Sequence, residues 1–341
     1  MSQPRLNDIR RGDTVEGIYL VEGANFKQGR NGKYFIQMTL RDASAAVRGL
    51  RWEASQEDFA KLEKNPFLSL QGRVEEFQGN RQIIVDGFEP LSGEDARIDP
   101  KDFLPHTKYD IDEMLDELRQ IVADVPNPGV RDLVHAVLAR PEVAKGLPAT
   151  PAGKSMHHAY VGGLLEHVVS LCRLALQIAD HYPWIDRSVL IAGVVLHDLG
   201  KVSELSHTTG FNYTDEGQLL GHIVIALGWI DEAARNVPEL PAETLLEIKH
   251  IVASHHGKLE FGSPKTPMTA EAIALHFIDN LDAKLAAFHQ SFQDAPLAGA
   301  DRWSEYSHMF SSRLYFPRRM DDGPTQQHNE GVTEGQGELP L

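Results

Sequence analysis

A chain of 341 residues is long enough for two domains, and its hydrophobic content of 42% is that of an ordinary globular protein. The formal net charge of −16 argues against a surface that binds nucleic acid everywhere, because phosphate contacts need Lys and Arg. The acidity is unevenly spread: residues 1–90 contain 13 basic and 13 acidic side chains, whereas the remainder contains 20 and 36. The neutral N-terminal part is therefore where nucleic acid could bind.

The sequence carries no signal of export or membrane insertion. It has no leading apolar segment, and none of its apolar runs is long enough to span a bilayer. The single cysteine, Cys172, lies in an apolar helical pattern and has no partner for an internal disulfide. These features predict a protein of the reducing cytoplasm that has no membrane partner.

Residues 1–92 have the pattern of a small β-barrel. Strands are predicted at residues 14–26, 33–41, 45–52, 67–77 and 81–88. A short helix is predicted to begin after Ser55, as its N-cap, and to run to about Lys64. Five strands with a helix before the fourth match the plan of an OB-fold, so the sequence predicts an OB-fold domain over residues 1–92.

An OB-fold binds single strands by stacking bases on aromatic rings beside basic groups, although the fold can also bind protein. The side chains that the sequence offers for this role are Lys33, Phe35, Arg48 and Arg81. For Lys33, Phe35 and Arg81, contact with nucleic acid and an ordinary place in the core or rim of the barrel are equally open. Tyr34 and Trp52 are instead predicted to lie in the barrel core.

After the barrel, the sequence predicts a linker, a helical domain and a tail. Residues 93–108 are predicted to be the linker, because they begin with a polar, turn-forming stretch. Residues 109–318 are predicted to be helical and to begin with two structural amphipathic helices, at 110–125 and 130–138. Residues 319–341 are polar, acidic and Gly-rich, which predicts a disordered tail.

The helical domain is organised around an apolar run, Ile191–Leu196, that continues into His197-Asp198 and Gly200. The run predicts a buried helix that stops at Gly200. A histidine and an aspartate at the end of such a helix cost free energy unless something pairs with them, and a metal ion is the obvious partner. Further candidate ligands lie in four other apolar helical patterns, namely His167, His222, His255-His256 and Asp279. Imidazole and carboxylate groups together suit divalent ions such as Mn, Fe and Zn.

The order of these residues, His, then His-Asp, then Asp, resembles the HD superfamily of metal-dependent phosphohydrolases. The resemblance implies an all-α HD domain with one metal ion held by His167, His197, Asp198 and Asp279. The extra His222 and the His255-His256 pair resemble the subset of HD proteins that hold two ions. In that subset Asp198 would bridge the ions, and the three extra histidines would hold the second one.

Four longer segments resemble one branch of this superfamily, the YhaM-type 3′→5′ exoribonucleases: Gly162–His167, His197–Val202, Ser254–Pro264 and Ile278–Lys284. The similarity covers most of residues 1–318. It implies a nuclease that trims single-stranded RNA from the 3′ end and also acts on single-stranded DNA. It implies two divalent ions, with Mn²⁺ as the expected metal and Fe, Co or Mg as alternatives, and it favours a homo-oligomer.

Other polar residues near these motifs have two interpretations each. Lys201 either complements the dipole at its helix end or contacts a phosphate or developing negative charge, and the motif favours the second. Lys258 is another candidate for phosphate. The resemblance puts His157 or His158 near the substrate, although surface positions at a helix start are equally open. Asp282 is either a partner of a metal ligand or solvated, and the second is favoured.

The predicted reaction is metal-assisted hydrolysis of a phosphodiester, with Asp198 and Lys201 as catalytic residues. Two divalent ions roughly 3.5–4 Å apart can activate a water and stabilise the attacking and leaving oxygens at phosphorus. The sequence contains neither a Gly-rich phosphate loop nor a recognisable covalent nucleophile. The OB domain would feed the single strand to the site. The alternatives are a nucleotide or cyclic-nucleotide phosphohydrolase with a regulatory OB domain, and a non-catalytic nucleic-acid-binding module.

Overall fold

A computed structural model describes residues 4–29, 32–77, 79–92, 95, 97–98, 102–153, 160–206, 212–294 and 302–317. The chain divides into two compact units, Met1–Lys284 and Leu285–Leu341. His157, His158 and the predicted tail at 319–341 lie outside the described residues, so the expectations for them stay predictions. Among the described helices, none combines the length and the hydropathy of a membrane-spanning segment.

The first unit begins with a closed five-stranded barrel. Its strands are β1 (Thr14–Gln28), β2 (Tyr34–Arg41), β3 (Ala46–Trp52), β4 (Phe67–Phe77) and β5 (Asn80–Leu91), in the spatial order β1-β2-β3-β5-β4. Helix α1 (Gln56–Lys64) lies between β3 and β4 in the chain. This is the OB-fold topology that the sequence predicts. Ser55 caps α1 as predicted, because its side chain accepts a hydrogen bond from the Asp58 backbone N–H and its own N–H donates to the Asp58 carboxylate.

The barrel closes because its longest strand serves two partners. The first half of β1, up to Leu20, pairs with β4, and β1 pairs with β2 from Leu20 onward. A register shift between Val21 and Gly23 lies where the partners change, and such irregularities bend a strand. Strands β3 and β5 pair in parallel and complete the ring. Alternate side chains of β2 point inward and are buried, as its apolar alternation predicts.

Residues 102–107 connect the barrel to the helices in an ordered way. On the barrel side, Phe103 packs its ring against Phe67 of β4 at 4.9 Å, within a small buried apolar cluster. On the other side, Thr107 N–H donates to the Val161 carbonyl, and Val161 N–H donates to the Pro105 carbonyl. The Thr107 hydroxyl also donates to the Glu166 carboxylate at 2.6 Å. Part of the predicted linker is thus packed on both sides.

The rest of the first unit is a group of helices. Their bounds are α2 (Ile111–Ala123), α3 (Pro128–Leu138), α4 (Pro141–Gly146), α5 (Gly163–His181), α6 (Arg187–Leu196), α7 (Lys201–Glu204), α8 (Asp215–Ala234), α9 (Ala242–Ser254) and α10 (Ala270–Asp294), whose residues from 285 onward belong to the second unit. Two short strands, β6 (Leu205–Ser206) and β7 (Asn212–Tyr213), pair between α7 and α8. Helix α6 is central, since every residue from Ser188 to Leu196 is buried. Its apolar run therefore needs no polar face.

The predicted end of the central helix at Gly200 is wrong. Helix α6 ends at Leu196, and a tight turn leads through Gly200 into α7. Gly200 has φ −57°, a right-handed conformation, so it is not a left-handed helix cap. A Cβ built on Gly200 would lie 2.1 Å from the carbonyl oxygen of His222. The glycine is needed because α8 approaches this turn closely.

The second unit contains the last turns of α10 and a β-hairpin. Strand β8 (Trp303–Ser307) pairs antiparallel with β9 (Ser312–Tyr315). The buried ring of Phe316 packs against Phe288 and Phe292 of α10, at 5.6 and 5.4 Å between ring centres. This hairpin is not predicted from the sequence, because its strands have only five and four residues and no β-branched side chain.

Candidate metal centre

The predicted ligands come together from five helices. His167 lies in the second turn of α5, His197 and Asp198 follow the end of α6, and Asp279 lies within α10. His222 belongs to α8, and His255-His256 follow the end of α9. Their candidate ligand atoms form two groups, each within 4.8 Å: His167, His197 and Asp279 in the first, and Asp198, His222, His255 and His256 in the second.

The carboxylate of Asp198 lies between the two groups. Its Oδ1 is 3.4 Å from His222 Nε2 and 3.6 Å from His255 Nε2. Its Oδ2 is 3.3 Å from His197 Nε2 and 3.8 Å from His167 Nε2. One carboxylate therefore offers a different oxygen to each group.

Every imidazole in the centre is held by its Nδ1 atom. The Nδ1 atoms of His197 and His255 are 2.7 and 2.8 Å from backbone carbonyls three residues earlier, Val194 and Val252. The two histidines occupy the same position, directly after the last residue of a helix. His256 Nδ1 is 2.7 Å from the Phe261 carbonyl. Because a carbonyl only accepts, Nδ1 of these three rings carries the proton and Nε2 is left as the ligand atom.

The other two histidines use carboxylates, and here the interpretation of Asp282 as solvated is wrong. Asp282 Oδ2 is 2.8 Å from His167 Nδ1, and its Oδ1 accepts a hydrogen bond from the Ser170 hydroxyl at 2.6 Å. Asp282 follows Asp279 by three residues, so both carboxylates lie on the same face of α10. That spacing is the signal in the sequence that could have indicated a role as a ligand's partner.

Glu204 is a functional candidate that sequence reasoning missed. Helix α8 is broken at Gly221, which has φ 75°, and the break frees the backbone N–H of His222. Glu204 Oε1 accepts that N–H at 3.0 Å and lies 3.1 Å from His222 Nδ1. One carboxylate oxygen thus fixes both the backbone and the ring of this residue. A glycine directly before a candidate ligand was the only available signal, and it did not indicate the partner.

The centre fits a divalent metal. Within the described part of the chain, buried Nε2 atoms of His197, His222 and His255 and Oδ1 of Asp198 have no hydrogen-bond partner. Such orphaned buried atoms are costly unless an ion binds them. Two atoms that each lie about 2.1 Å from one ion at right or tetrahedral angles are ~3.0–3.4 Å apart, close to the spacings around Asp198. The mixture of imidazole nitrogen and carboxylate oxygen suits Mn, Fe, Co and Zn.

The protonation of His167 differs from that of His255 and His256. Burial lowers the pKa of His167, but Asp279 and Asp282 outweigh that effect and raise its pKa to about 9. Burial lowers the pKa of His255, and burial with the neighbouring His255 lowers the pKa of His256 to about 4. At neutral pH, the candidate ligands His255 and His256 are therefore neutral, whereas His167 would have to release a proton for an ion to bind.

Comparison with known proteins identifies the family. The HD domain family matches residues 164–284. The 3′-5′ exoribonuclease YhaM of Bacillus subtilis (strain 168) is 38% identical over 274 residues, which are 80% of this chain and 86% of that protein. The chain belongs to the YhaM family. The protein of that name from Listeria innocua serovar 6a is 35% identical over 283 residues, which are 83% of this chain and 89% of that protein.

Solved OB-fold domains match about a quarter of this chain. The second OB-fold domain of replication protein A from Methanococcus maripaludis is 15% identical to this chain. The aligned region covers 26% of this chain and 93% of that domain. Its TM-score is 0.22, and a likeness at that level carries no argument. The assignment of the OB-fold follows from the strand order and the position of α1.

The two predicted phosphate-binding lysines have different surroundings. Lys201 is 12% exposed, and its ammonium donates to Asp198 Oδ2 at 2.6 Å and to the Ala152 carbonyl at 2.7 Å. Burial lowers the pKa of Lys201, but Asp198 outweighs it, so the pKa is raised and the lysine stays charged. Lys258 is exposed, with its ammonium 3.2 Å from Glu260 and 5.2 Å above the Phe261 ring. Contact with phosphate stays a prediction for both lysines.

The basic residues of the barrel that were predicted to contact nucleic acid also have different surroundings. Arg81 donates to the carbonyls of Asn7 and Ile9, both at 2.8 Å, and so ties the N-terminal segment to β5. Arg48 donates to the Gln37 side chain at 3.3 Å, and Lys33 pairs with Glu53. The Arg81 contacts favour the structural interpretation of that residue.

Two aromatic residues contradict the sequence analysis. Tyr34 and Trp52, predicted to lie in the core, are 46% and 50% exposed. Tyr34 stacks on Phe26 with ring centres 4.9 Å apart, and Trp52 contacts the Phe35 ring at 5.1 Å. They stand at the start of β2 and the end of β3, where the barrel interior has ended. The barrel therefore presents two aromatic pairs, in each of which an exposed ring, Tyr34 or Trp52, lies against a half-buried phenylalanine. Because Tyr34 and Phe35 are neighbours in β2, the two pairs lie on opposite faces of that strand.

Replacement of Asp282 by asparagine should weaken metal binding about 10- to 100-fold, the usual effect of losing the carboxylate behind a ligating histidine. Asparagine keeps the size of the side chain but removes the charge that orients His167 and strengthens it as a ligand. Titration calorimetry of the metal-free protein with Mn²⁺ measures the affinity. The matched control is Asp180→Asn, which changes an aspartate of α5 that pairs with Arg187 instead of a histidine. Equal affinities of the Asp282 variant and wild type would contradict the role of Asp282.

Proposed function

We propose that this chain is a metal-dependent 3′→5′ exoribonuclease that hydrolyses the phosphodiester bonds of single-stranded RNA at a centre of two divalent ions. The observation that carries the proposal is the placement of Asp198, whose two oxygens face two separate groups of histidines. The relatives that match four-fifths of the chain are named 3′-5′ exoribonucleases, which supports the direction and the substrate.

The residues would divide between the ions as their distances suggest. One ion would be held by His167, His197, Asp279 and Oδ2 of Asp198, and the other by His222, His255, His256 and Oδ1 of Asp198. Mn²⁺ is the expected metal, and Fe, Co and Mg are the alternatives. When bound, such a pair supplies an activated water and stabilises the negative charge at phosphorus.

The chain's own residues have separate tasks in this scheme. The five imidazoles are fixed through Nδ1, so their Nε2 atoms need little rearrangement to bind. Lys201 holds Oδ2 of Asp198, and although burial raises the pKa of Asp198, Lys201 and His197 keep it well below the usual range. Asp198 is therefore ionised at any physiological pH. The positive charge of Lys201 also lies beside the place where a phosphate would develop negative charge.

The barrel would bind the RNA strand ahead of the cleaved end. Bases stack on exposed aromatic rings with little regard to sequence, and the exposed rings of Tyr34 and Trp52 offer such contacts. The bases of single-stranded DNA present the same kind of flat face and would bind as well, so the proposal includes activity on it. Contact of His157 or His158 with substrate is part of the same proposal.

Two further expectations concern the surroundings of the enzyme. A cytoplasmic location rests on the single cysteine, Cys172, which is buried and reduced. Self-association rests on the resemblance to the family, and size-exclusion chromatography with light scattering measures it directly. Neither expectation affects the chemistry at Asp198.

The decisive experiment is incubation of a 5′-labelled single-stranded RNA with the protein and Mn²⁺, beside a sample in which a chelator removes the metal. The proposal expects a ladder that shortens from the 3′ end and is absent with chelator. An intact oligomer under metal-loaded conditions would contradict it. Release of phosphate from mononucleotides by the same sample would then indicate a nucleotide phosphohydrolase.

Substitution of Trp52 by alanine should raise the Kd for single-stranded RNA about tenfold, because one base–aromatic stack is worth ~1–3 kcal/mol. Fluorescence anisotropy in the presence of a chelator measures binding while the strand stays intact. The control is Trp184→Ala, which removes a ring that is 70% exposed beyond the far end of α5. If both variants bind like wild type, the Trp52 ring does not bind RNA.

A further inference from the structure

A tight turn directly follows the last two histidines of the metal centre. It begins at Gly257, which has φ 78°, contains one 3₁₀ turn at Leu259–Phe261, and ends at Gly262, which has φ 92°. The Phe261 N–H donates to the Lys258 carbonyl at 3.1 Å, and the Gly262 N–H donates to the Leu259 carbonyl at 3.0 Å. Glycine tolerates positive φ without strain, so two sharp reversals fold this segment back toward α9.

The turn is attached to the metal centre through Phe261. The Phe261 carbonyl accepts the Nδ1 proton of His256 at 2.7 Å, while the Nε2 atom of the same ring is the candidate ligand. Only one imidazole therefore separates the backbone of Phe261 from the ion that His256 would bind. A substrate phosphate at that ion would place the attached nucleoside within reach of the Phe261 side chain.

The Phe261 side chain is largely exposed. It is 60% exposed, although burial of a phenylalanine normally contributes stability. The Lys258 ammonium lies over the ring, and the Glu260 carboxylate lies beside that ammonium. An exposed aromatic ring on a turn fixed by backbone hydrogen bonds has the features of a stacking surface.

We infer that the Phe261 ring stacks on the base of the 3′-terminal nucleotide and so positions the scissile phosphate at the metal centre. The inference rests on the proposed function, because it requires a nucleotide substrate. All four bases present a flat face, so stacking binds the terminal nucleotide whatever its identity, as an enzyme that removes successive nucleotides requires. Phe261 is thus a substrate-binding residue, and no proton transfer or metal contact depends on its side chain.

The test compares two RNA oligomers that differ only at the 3′-terminal nucleotide, which carries a base in one and is abasic in the other. With the normal oligomer, Phe261→Ala should raise KM about tenfold and leave both kcat and the affinity for Mn²⁺ unchanged. With wild-type protein, removal of the terminal base should raise KM by a similar factor. The combination of Phe261→Ala with the abasic oligomer should show no further increase, because the two changes remove the same contact.

Three variants of the same turn make the result specific. Leu259→Ala removes a side chain that is 71% exposed two residues away, and it should leave KM unchanged. Phe261→Trp keeps a flat ring and should retain wild-type KM. Phe261→Leu keeps apolar bulk without a ring and should behave like the alanine variant, which excludes a general structural effect.

The outcomes separate this inference from the proposed function. If wild-type protein shortens the normal oligomer but Phe261→Ala and Phe261→Leu have wild-type KM, the stacking role is wrong and the exoribonuclease stands. Independent, multiplying effects of the Phe261 variant and the abasic end would also overturn the stacking role. If wild-type protein shortens neither oligomer, the proposed function fails, and the inference fails with it.

Discussion

Substitution of Asp198 by alanine should abolish RNA hydrolysis and remove ion binding from both groups of histidines. The reason is geometric: Oδ2 lies 3.3 Å from His197 Nε2, and Oδ1 lies 3.4 Å from His222 Nε2. No other described carboxylate belongs to the second group. Turnover should fall at least about 10³-fold, since a metal ion supplies several kcal/mol of stabilisation to the reacting phosphate.

The matched variant for Asp198→Ala is Asp279→Ala. Asp279 belongs only to the group with His167 and His197, and its Oδ1 lies 3.3 Å from His167 Nε2. Metal analysis of the purified proteins should find two ions in wild type, one in the Asp279 variant and none in the Asp198 variant. An Asp198 variant that retains one ion at full affinity would show that the groups are independent and would contradict the bridging role.

A stability measurement separates loss of the site from loss of the fold. In metal-free solution, Asp198→Ala leaves the Lys201 ammonium with the Ala152 carbonyl as its remaining partner among the described residues. Breaking one side of a buried ion pair costs about 3–5 kcal/mol in the free energy of unfolding. The double variant Asp198→Ala/Lys201→Met should recover most of that free energy in a denaturant titration, yet it should still bind no ion.

The candidate ligands, which the structure brings together, could be picked out from the sequence because each of them is a polar residue in an otherwise apolar pattern. His197 and Asp198, for example, follow nine consecutive buried residues of α6. Their hydrogen-bond partners could not be predicted in the same way. Glu204 accepts a hydrogen bond from the His222 N–H, which is available only because α8 is broken at Gly221. His197 is held by the backbone carbonyl of Val194, and a backbone contact leaves no signal in the sequence.

The barrel shows a different limit of sequence reasoning. Alternation along β2 identifies which side chains point inward, and Ile36, Met38 and Leu40 are buried accordingly. Tyr34 continues that alternation, but it is the first residue of the strand and lies beyond the filled part of the interior. The alternation of side chains shows on which face of a strand a residue lies, but not how far along the barrel axis it lies. The exposure of Tyr34 and Trp52 could therefore be identified only from the structure.

Gly200 was misassigned for a related reason. A glycine after an apolar run is typical of a helix end, and the sequence does not distinguish that role from close packing. In the structure, the turn at Gly200 touches the backbone of His222, which is distant in sequence. The same observation shows that a side chain at Gly200 would have no room beside His222.

Replacement of Gly200 by alanine should destabilise the protein by about 3 kcal/mol or more and weaken ion binding by the second group. The new methyl group would lie 2.1 Å from the His222 carbonyl oxygen and 2.8 Å from its carbonyl carbon, so α8 must move. That movement carries His222 away from Asp198. Chemical denaturation measures the first effect, and Mn²⁺ titration of the folded variant measures the second.

Two further substitutions test whether Gly200 is needed as a helix cap or because of its close contact with His222. Gly228→Ala, within α8 and with no atom within 4 Å of the new Cβ, should stabilise the protein by about 1 kcal/mol, because alanine is the better helix former. Gly200→Asn tests the cap directly, since asparagine is the usual second choice at a left-handed helix cap. If Gly200 ended the helix, asparagine would be tolerated. In the structure, Gly200 has φ −57° and is constrained by its contact with His222, so asparagine should lower the stability of the protein at least as much as alanine does. Wild-type stability of either Gly200 variant would contradict the contact.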